Sequence, residues 1–222
     1  MKRVEQLDGA DQLRIVVIGA GSHAKVVIEA IRACGGEVVG VIDRSPSTSH
    51  VLGAPVIGCD ELLPRLRAQG LDSVVVGLGQ NTLRQRIGAQ VRTLGFVLPT
   101  IVHPSALISP SAQLGDGAVV MARAVVGTEA AIGDLTIVNT GAVLDHDNRL
   151  AAAAHVAPGC ALAGNVLVGE RALIGVGSAV RPGTRIGADA IVGAGSAVVS
   201  DVPDGVRVGG APARLLRRRC EP

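Results

Sequence analysis

Aromatic side chains are almost absent from this chain, whose 222 residues include no Trp, no Tyr and a single Phe, Phe96. Proteins that bind single-stranded nucleic acids stack the bases on aromatic rings, and a strong positive excess attracts the phosphate backbone. The formal net charge here is only +2. Both absences argue against a nucleic-acid partner.

Cysteine is also scarce, and long hydrophobic runs are missing. The four cysteines, Cys34, Cys59, Cys160 and Cys220, have neither metal-site spacing nor the density of a disulfide framework. Charged and small residues interrupt every apolar stretch before it reaches the length of a membrane span. Residues 1–13 are charged and lack the apolar core of a signal peptide. We therefore expect a cytoplasmic protein with reduced thiols and no membrane insertion.

What the chain has instead is a repeat of period six. From Val102 to Val198 every sixth residue is Val, Ile or Leu, without a miss. We call these positions the ladder. At roughly a one-in-four chance per position, such a run does not arise by accident, so it indicates an internal structural repeat.

The residues between the ladder positions identify the repeat. Four residues after a ladder position the side chain is usually small, as at Ala118, Ala130 and Ser178, and the residue directly after it is often Gly. This order fits a short strand with a large inward side chain, a corner whose glycine takes unusual backbone angles, and a small inward side chain. Three such hexads make one triangular coil, and coils stack by parallel strand pairing. The sequence predicts about five and a half coils of a hexapeptide β-helix.

The first part of the chain is different, because strand and helix patterns alternate there. Residues 14–18 form an apolar β-branched run, a glycine-rich loop and a helical pattern follow, and residues 37–42 form a second apolar run. This order predicts a βαβ unit. Residues 60–69 then predict a helix broken at Pro64, and residues 73–79 predict a third strand.

A last helix is predicted over residues 81–94, with Asn81 as its N-cap. We therefore expect two domains. Residues 1–98 would form a small α/β, Rossmann-like domain with an open parallel sheet of three or four strands. Residues 99–222 would form the β-helix, closed by a turn-rich cap over residues 208–214.

The loop between the first strand and the first helix is where such a fold binds phosphate. Gly19 and Gly21 let backbone N–H groups approach an anion, and the helix N-terminus adds partial positive charge. Asp43 lies 22 residues after Gly21, at the end of the second strand, where a carboxylate can bind a ribose hydroxyl. The motif is short, with Ala24 at its sixth position, and a purely structural turn is the alternative. His23 either hydrogen-bonds this loop or contacts substrate.

Functional side chains of the β-helix have to point outward, because the side chains at the inward positions form the core. His146 lies two residues after Leu144 of the ladder, and Asp145 and Asp147 flank it. A histidine beside a carboxylate is the arrangement of a general base, since the acid orients the imidazole and stabilises its protonated form. His155 is the second outward histidine. It follows His146 by nine residues, half a coil, so the two can meet only between neighbouring β-helices.

For a lone histidine, an exposed surface residue is the simpler interpretation. The two flanking acids favour catalysis for His146, and both interpretations stay open for His155. No spacing of His146, Asp147 and His155 brings three metal ligands together within one coil, so we expect no metal site.

The two halves together resemble a known family. The segment from Gly19 to Lys25, paired with the segments from Asn139 to Asp147 and from His155 to Gly159, resembles the bacterial NeuD-type sugar acyltransferases. These belong to the left-handed β-helix acyltransferases and include N-acetyltransferases of nucleotide-linked 4-amino sugars. The resemblance covers nearly the whole chain and implies the left-handed sense of the coil. Two departures are a run of four alanines at residues 151–154, in place of a Gly and an acid, and Asn148 in place of a frequent Cys.

The resemblance implies a homotrimer with active sites at the subunit interfaces, acetyl-CoA as co-substrate along the groove between β-helices, and a nucleotide sugar on the N-terminal domain. His146 would be the general base, and Asp147 its acidic partner. The residues that would face the nucleotide sugar are Gly19, Gly21, Ser22, His23, Lys25 and Asp43. Those that would border acetyl-CoA are His155, Gly175, Gly193, Ala211 and Pro212.

The leading functional hypothesis is an acetyl-CoA-dependent N-acetyltransferase that acts on the amino group of a nucleotide-linked deoxyamino sugar. Direct attack is favoured, because no cysteine beside His146 could carry the acyl group. One alternative is O-acetylation of a sialic acid or a related sugar. A second is a non-catalytic β-helix protein that binds nucleotide sugars.

Overall fold

The structure, a computed structural model, describes residues 13–216. The expectations for residues 1–12 and for Cys220 lie outside this range. The N-terminal part alternates strands and helices, as the sequence predicts. Its elements are β1 (Arg14–Ile18), α1 (Ser22–Ala33), β2 (Glu37–Ile42), β3 (His50–Val51), β4 (Ala54–Gly58), a 3-10 helix (Asp60–Leu62), α2 (Leu63–Ala68), β5 (Ser73–Val76) and α3 (Asn81–Thr93).

The strands of this part form one five-stranded sheet in the order β3-β4-β2-β1-β5. All pairs are parallel except β3 with β4. Strand β1 lies between β2 and β5 and is buried from Ile15 to Ile18, because helices cover both faces of a parallel sheet. The prediction of three or four strands was too low, since the short hairpin of β3 and β4 has no periodic sequence signal.

Two element boundaries also differ from the prediction. The strand predicted over residues 73–79 ends at Val76, and residues 77–79 form a loop. Asn81 is not an N-cap, because Gln80 holds that position. The Asn81 side chain donates instead to the backbone carbonyls of Arg171 at 2.7 Å and Ala172 at 3.1 Å, which lie in the repeat.

The ladder forms a parallel β-helix built from two-residue strands. These strands are Ile101–Val102 (β6), Leu107–Ile108 (β7), Gln113–Leu114 (β8), Val119–Val120 (β9), Val125–Val126 (β10), Ala131–Ile132 (β11), Ile137–Val138 (β12), Val143–Leu144 (β13), Arg149–Leu150 (β14), His155–Val156 (β15), Ala161–Leu162 (β16), Leu167–Val168 (β17), Leu173–Ile174 (β18), Ala179–Val180 (β19), Arg185–Ile186 (β20), Ile191–Val192 (β21) and Ala197–Val198 (β22). The predicted cap is an antiparallel pair, β23 (Arg207–Gly209) with β24 (Arg214–Leu215).

Each strand of the repeat pairs in parallel with the strand one coil later, as Leu144 pairs with Leu162. The strands therefore stack into three sheets. We call them sheet 1 (β7, β10, β13, β16, β19, β22), sheet 2 (β8, β11, β14, β17, β20) and sheet 3 (β6, β9, β12, β15, β18, β21, β23, β24). The ladder side chains point into the prism, where Val126, Leu144 and Ile174 are fully buried. This core confirms the inward role of the ladder.

The sequence pattern predicts unusual backbone angles at the glycines directly after the ladder positions, but the structure shows a different reason for glycine there. The positive φ falls three residues after each ladder position, for example 60° at Asp147 and 67° at Gly159. At Gly115 and Gly175 an added Cβ would lie 2.6 Å from a backbone nitrogen of the next coil. These glycines are required by the close stacking of coils and not by unusual backbone angles.

Candidate active site

His146 lies at the corner between β13 and β14, residues 145–148, which we call the histidine corner. Its Nδ1 is 2.7 Å from Asp147 Oδ2, and its backbone N–H donates to Asp145 Oδ1 at 2.8 Å. Asp147 occupies the left-handed position of the corner, a conformation that Asp tolerates better than most residues. Asp147 thus holds the imidazole at the surface, and Asp145 holds the backbone of the same residue.

The electrostatics of this corner suit a base. The His146 and Asp147 side chains are 58% and 55% exposed, so solutes can reach them. The hydrogen bond to Asp147, followed by the charge of Asp145, raises the pKa of His146 above its ordinary value. When the ring is neutral with its proton on Nδ1, Nε2 carries the free lone pair. That nitrogen can accept a proton from a bound reactant.

Gly164 of the next coil lies against the ring of His146. An added Cβ on Gly164 would overlap the imidazole atoms Cε1 and Nε2. Gly164 does not have a positive φ, so space, and not backbone conformation, requires glycine here. At the equivalent corner position, Thr128 stands one coil before His146 and Pro182 stands one coil after Gly164. Gly164 thus leaves room for the imidazole.

The glycine loop of residues 19–22 is closed by Asp43. Its Oδ2 accepts from the backbone N–H of Ala20 at 2.7 Å, and its Oδ1 accepts from that of Ser45 at 2.9 Å. Gly19 has a φ of 109°, and an added Cβ would lie 2.7 Å from Leu78. Around Gly21 the space is open, since an added Cβ would meet nothing within 4 Å. Ser22 begins α1, and Lys25 is exposed on its first turn.

His155 lies beside this loop in the same chain. Its ring centroid is 6.2 Å from that of His23. Asn139 Nδ2 is 3.1 Å from His155 Nε2, and Asn139 Oδ1 accepts from the backbone N–H of Thr140 at 2.8 Å. The second contact orients the amide, so its nitrogen donates to Nε2 of His155, which acts as the acceptor.

Both of these histidines are neutral at physiological pH. Burial and the nearby charge of Arg84 lower the pKa of His23 to about 4. The same two causes, followed by the charge of His23, lower the pKa of His155 to about 4. The pair therefore offers neutral hydrogen-bonding groups to a ligand, in contrast to His146.

Arg84 of α3 joins the glycine-loop region to the β-helix. Its guanidinium is buried and donates to the backbone carbonyls of Leu135 at 2.7 Å and Ala153 at 2.8 Å in the repeat. It also donates to Leu78 and Gly79 in the loop after β5, at 3.0 and 3.1 Å. Burial lowers its pKa to about 10, so it stays charged at neutral pH.

His146 and His155 do not meet within one chain, as the half-coil spacing predicted. His155 belongs to sheet 3, and the histidine corner joins sheet 1 to sheet 2. In a triangular coil this corner lies opposite sheet 3. The structure therefore brings His155 to the glycine loop of its own chain and keeps His146 apart from both.

Within residues 13–216, no group of three or more His, Cys, Asp or Glu side chains is placed to hold a metal ion. In the same range, no helix has both the length and the apolar character needed to cross a membrane.

Sequence comparisons match parts of the chain to known proteins. Residues 14–91 match the PglD N-terminal domain family. UDP-N-acetylbacillosamine N-acetyltransferase from Bacillus subtilis is 37% identical over 110 residues, which cover 49% of this chain and 51% of that enzyme. The alignment therefore spans about half the length of this curated relative.

Solved structures match over nearly the whole chain. Perosamine N-acetyltransferase from Caulobacter crescentus, as a variant with one histidine changed to asparagine and in complex with CoA and GDP-perosamine, is 53% identical with a TM-score of 0.89. The match covers 91% of this chain and 96% of that one. This chain belongs to the NeuD/PglD-type sugar acetyltransferases.

A second structure agrees with this assignment. The acetyltransferase domain of PglB from Neisseria gonorrhoeae, in complex with acetyl coenzyme A, is 42% identical with a TM-score of 0.87, over 93% of this chain and 100% of that one. The sugar acetyltransferase fold is a left-handed β-helix of hexapeptide repeats, preceded by a PglD-type N-terminal domain.

The residues expected to border acetyl-CoA in this sugar acetyltransferase lie away from the histidine corner. Gly175 and Gly193 follow β18 and β21 at the corner between sheets 3 and 1. Ala211 and Pro212 form the exposed turn between β23 and β24. None of them shares a corner with His146, so a site that uses both sets needs a second copy of the chain.

Sequence reasoning missed Arg84, Gly164 and the role of Asn139. A signal existed for Arg84, because it stands on the α3 stripe with Ile87 and Val91, where an apolar residue is expected. Gly164 lies one 18-residue coil after His146, a relation that the period of the ladder makes visible. Asn139 gave no signal, since its partner His155 is found only from the coil geometry.

Proposed function

We propose that this sugar acetyltransferase moves the acetyl group of acetyl-CoA to the amino group of a nucleotide-linked deoxyamino sugar. The observation that carries the proposal is the exposed pair of His146 and Asp147, 2.7 Å apart, with Gly164 leaving space for the ring. Named relatives support it, since two are N-acetyltransferases and two structures hold CoA or acetyl coenzyme A.

The proposed chemistry is direct acyl transfer. The sugar amine attacks the thioester carbonyl carbon, a C–N bond forms, and Nε2 of His146 takes the proton that the nitrogen loses. The tetrahedral intermediate then breaks its C–S bond, and CoA leaves as the thiol with that proton. Asp147 holds the imidazole through Nδ1 and stabilises its charged form. Proximity of the two reactants supplies the rest of the acceleration.

The nucleotide sugar binds at the glycine loop in this proposal. Open space around Gly21, the N-terminus of α1, and the neutral pair of His23 and His155 support this position. Asp43 takes part through the loop it closes. A GDP-linked amino sugar is the first substrate to test, because the relative in complex with GDP-perosamine matches over nearly the full length of both chains.

We further propose a homotrimer with its active sites between subunits. The glycine loop adjoins His155 on sheet 3, whereas His146 lies at the opposite corner, so a sugar on one copy can reach the His146 of another copy only. Acetyl-CoA would then lie between two β-helices. An open groove of about 360 Å³ on sheet 2, next to the histidine corner, supports this position of acetyl-CoA. Arg149 and Arg185 line the groove, and their guanidinium groups can bind the phosphates of CoA.

Both reactants are cytoplasmic metabolites, which supports a cytoplasmic location.

The test is release of CoA thiol from acetyl-CoA in the presence of GDP-perosamine, with a UDP-linked 4-amino sugar and a hydroxyl-only analogue as parallel substrates. We expect thiol release with an amino sugar and not with the analogue. Substitution His146→Ala should lower kcat by ~10²- to 10⁴-fold and leave the oligomer unchanged. Thiol release with the hydroxyl analogue alone would favour O-acetylation. Nucleotide-sugar binding without any thiol release would overturn the enzyme assignment.

A further inference from the structure

Asn148 is the last residue of the histidine corner and points into the prism. It is fully buried. The inward corner positions from 106 to 202, taken six residues apart, hold Ala, Cys, Ser, Thr or Val, and Asn148 is the amide among them. Side-chain size alone does not explain why an amide occupies this position in the core.

One hydrogen bond of Asn148 is a general feature of the repeat. Its Nδ2 donates to the carbonyl of Ala163, 15 residues later, at 3.1 Å. Thr136 Oγ1 donates to Ala151 in the same way at 3.2 Å, and Cys160 Sγ donates to Gly175 at 3.1 Å. A hydroxyl or thiol is therefore sufficient for this bond between coils.

The second hydrogen bond closes the histidine corner itself. Nδ2 of Asn148 also donates to the carbonyl of Asp145, three residues earlier, at 2.8 Å. At several other corners the backbone makes this connection, as from Ala142 to Asn139 at 3.0 Å, and at one the hydroxyl of Ser196 makes it, to Gly193 at 2.6 Å. No such backbone bond closes residues 145–148 within the described structure. A hydroxyl or thiol has one hydrogen and cannot make both bonds, whereas an amide nitrogen has two.

The amide also has a cost. Its Oδ1 is buried without a hydrogen-bond partner, and a buried polar atom without a partner destabilises a protein. A residue chosen for stability alone would be Thr or Cys, as in the neighbouring coils. What the amide adds is a second N–H donor, which bonds the carbonyl of Asp145.

The carbonyl of Asp145 belongs to the peptide unit that precedes His146. Asn148 holds the oxygen of this unit, and Asp145 Oδ1 holds its N–H at 2.8 Å. We infer that Asn148 is a positioning residue for His146, whose side-chain amide fixes the backbone from which the imidazole reaches Asp147. The inference rests on the proposed function of His146 as the base.

The test separates the two hydrogen bonds. Asn148→Thr keeps the bond to Ala163, as Thr136 shows for its own corner, and loses the bond to Asp145. Asn148→Cys does the same on the pattern of Cys160, in case the first variant folds poorly. Thr136→Ala is the control, because it removes a bond between coils at a corner without a histidine.

We expect both Asn148 variants to bind acetyl-CoA and sugar with unchanged KM and to lose about tenfold in kcat, the scale of a misaligned base. Thr136→Ala should lose stability and keep kcat. The His146 imidazole titration, followed by NMR, should move to lower pH in the Asn148 variants, because the bond to Asp147 loosens. This NMR result does not depend on any acetyl transfer. An unchanged kcat and titration, or an equal loss of kcat in Thr136→Ala, would overturn the inference.

Discussion

Single residues around His146, the proposed base, each contribute one contact to it. Asp147 sets the protonation of the ring, Asp145 holds its backbone N–H, and Gly164 leaves the space in which it stands. The ring itself is exposed, so its properties come from these contacts and not from burial. A change at one contact should therefore alter a specific property of the reaction.

Asp147→Asn should move the acid limb of the pH profile of kcat/KM to lower pH. The hydrogen bond to Asp147 is the main cause of the raised pKa of His146, so its loss lowers that pKa. A base is active when neutral, and activity then persists to lower pH. At neutral pH, kcat should fall about tenfold, because the ring is less well oriented.

Glu129→Gln is the matched control for this profile. Glu129 occupies the same corner position one coil before Asp147, with a positive φ of 57°, and has no bond to His146. Its removal takes away one negative charge and should leave the acid limb in place. An acid limb in Asp147→Asn that stays still, or moves to higher pH, would contradict the assignment of Asp147.

At the scale of elements, the site depends on the stacking of coils. His146 comes from the coil that contains β13, and the surface on which it lies comes from the coil that contains β16. The parallel pairing of Leu144 with Leu162 sets this register. A one-residue slip would send the ladder side chains outward, so the core fixes the position of the site.

Gly164→Ala should displace the imidazole without breaking the coil. The backbone there suits Ala, and the added methyl would overlap the ring. We expect kcat to fall by ~10²-fold, in line with the loss of a positioned base. The free energy of unfolding should fall by about 1–3 kcal/mol, as for an overpacked contact.

The same substitution in a His146→Ala background isolates the contact. Without the imidazole, the added methyl group of Gly164→Ala meets no ring, so the unfolding free energy should not change. Urea unfolding of the single and double variants measures the difference. An equal cost in both backgrounds would show that the glycine is needed for another reason.

At the scale of the whole molecule, α3 connects the N-terminal α/β half to the β-helix. It packs along the corner between sheets 2 and 3, and its Gly88 lies directly against Leu135. The alanines at residues 151–154 lie at this contact with α3. Ala153 is fully buried, and its carbonyl accepts a hydrogen bond from Arg84. The departure from the family pattern in this run thus coincides with the contact between the two halves.

Arg84→Met should destabilise this connection by about 1–3 kcal/mol, the cost of leaving buried carbonyl groups without their hydrogen-bond donor. Carbonyls of Leu135, Ala153 and Leu78 would lose their donor. Arg92→Met on the same helix is the control. Arg92 makes a surface pair with Asp134 at 2.7 Å, and its loss should cost about 0–1 kcal/mol. Equal costs in urea unfolding would refute the role of Arg84.

Much of the β-helix and its candidate base could be predicted from the chain. The ladder from Val102 to Val198 sets the three-sided prism, because one large inward residue per hexad admits few other shapes. The same period places His146 outward between two acids. The β3–β4 hairpin escaped prediction, since β3 has only two residues and β4 carries a proline and ends in a glycine, so neither shows a periodic apolar signal.

The sequence by itself therefore determined the repeat, the order of the two halves and the acid-flanked histidine, because these depend on residues close together in the chain. Only the tertiary structure decided that His155 stands beside His23, that Arg84 is buried against Ala153, and that Gly164 makes room for His146. Each of these contacts joins residues from different coils or different halves. The period of the ladder gives the 18-residue separation of His146 and Gly164, but only the packing shows that their atoms touch. The separations in the other two contacts are set by how the two halves pack, which no local pattern records.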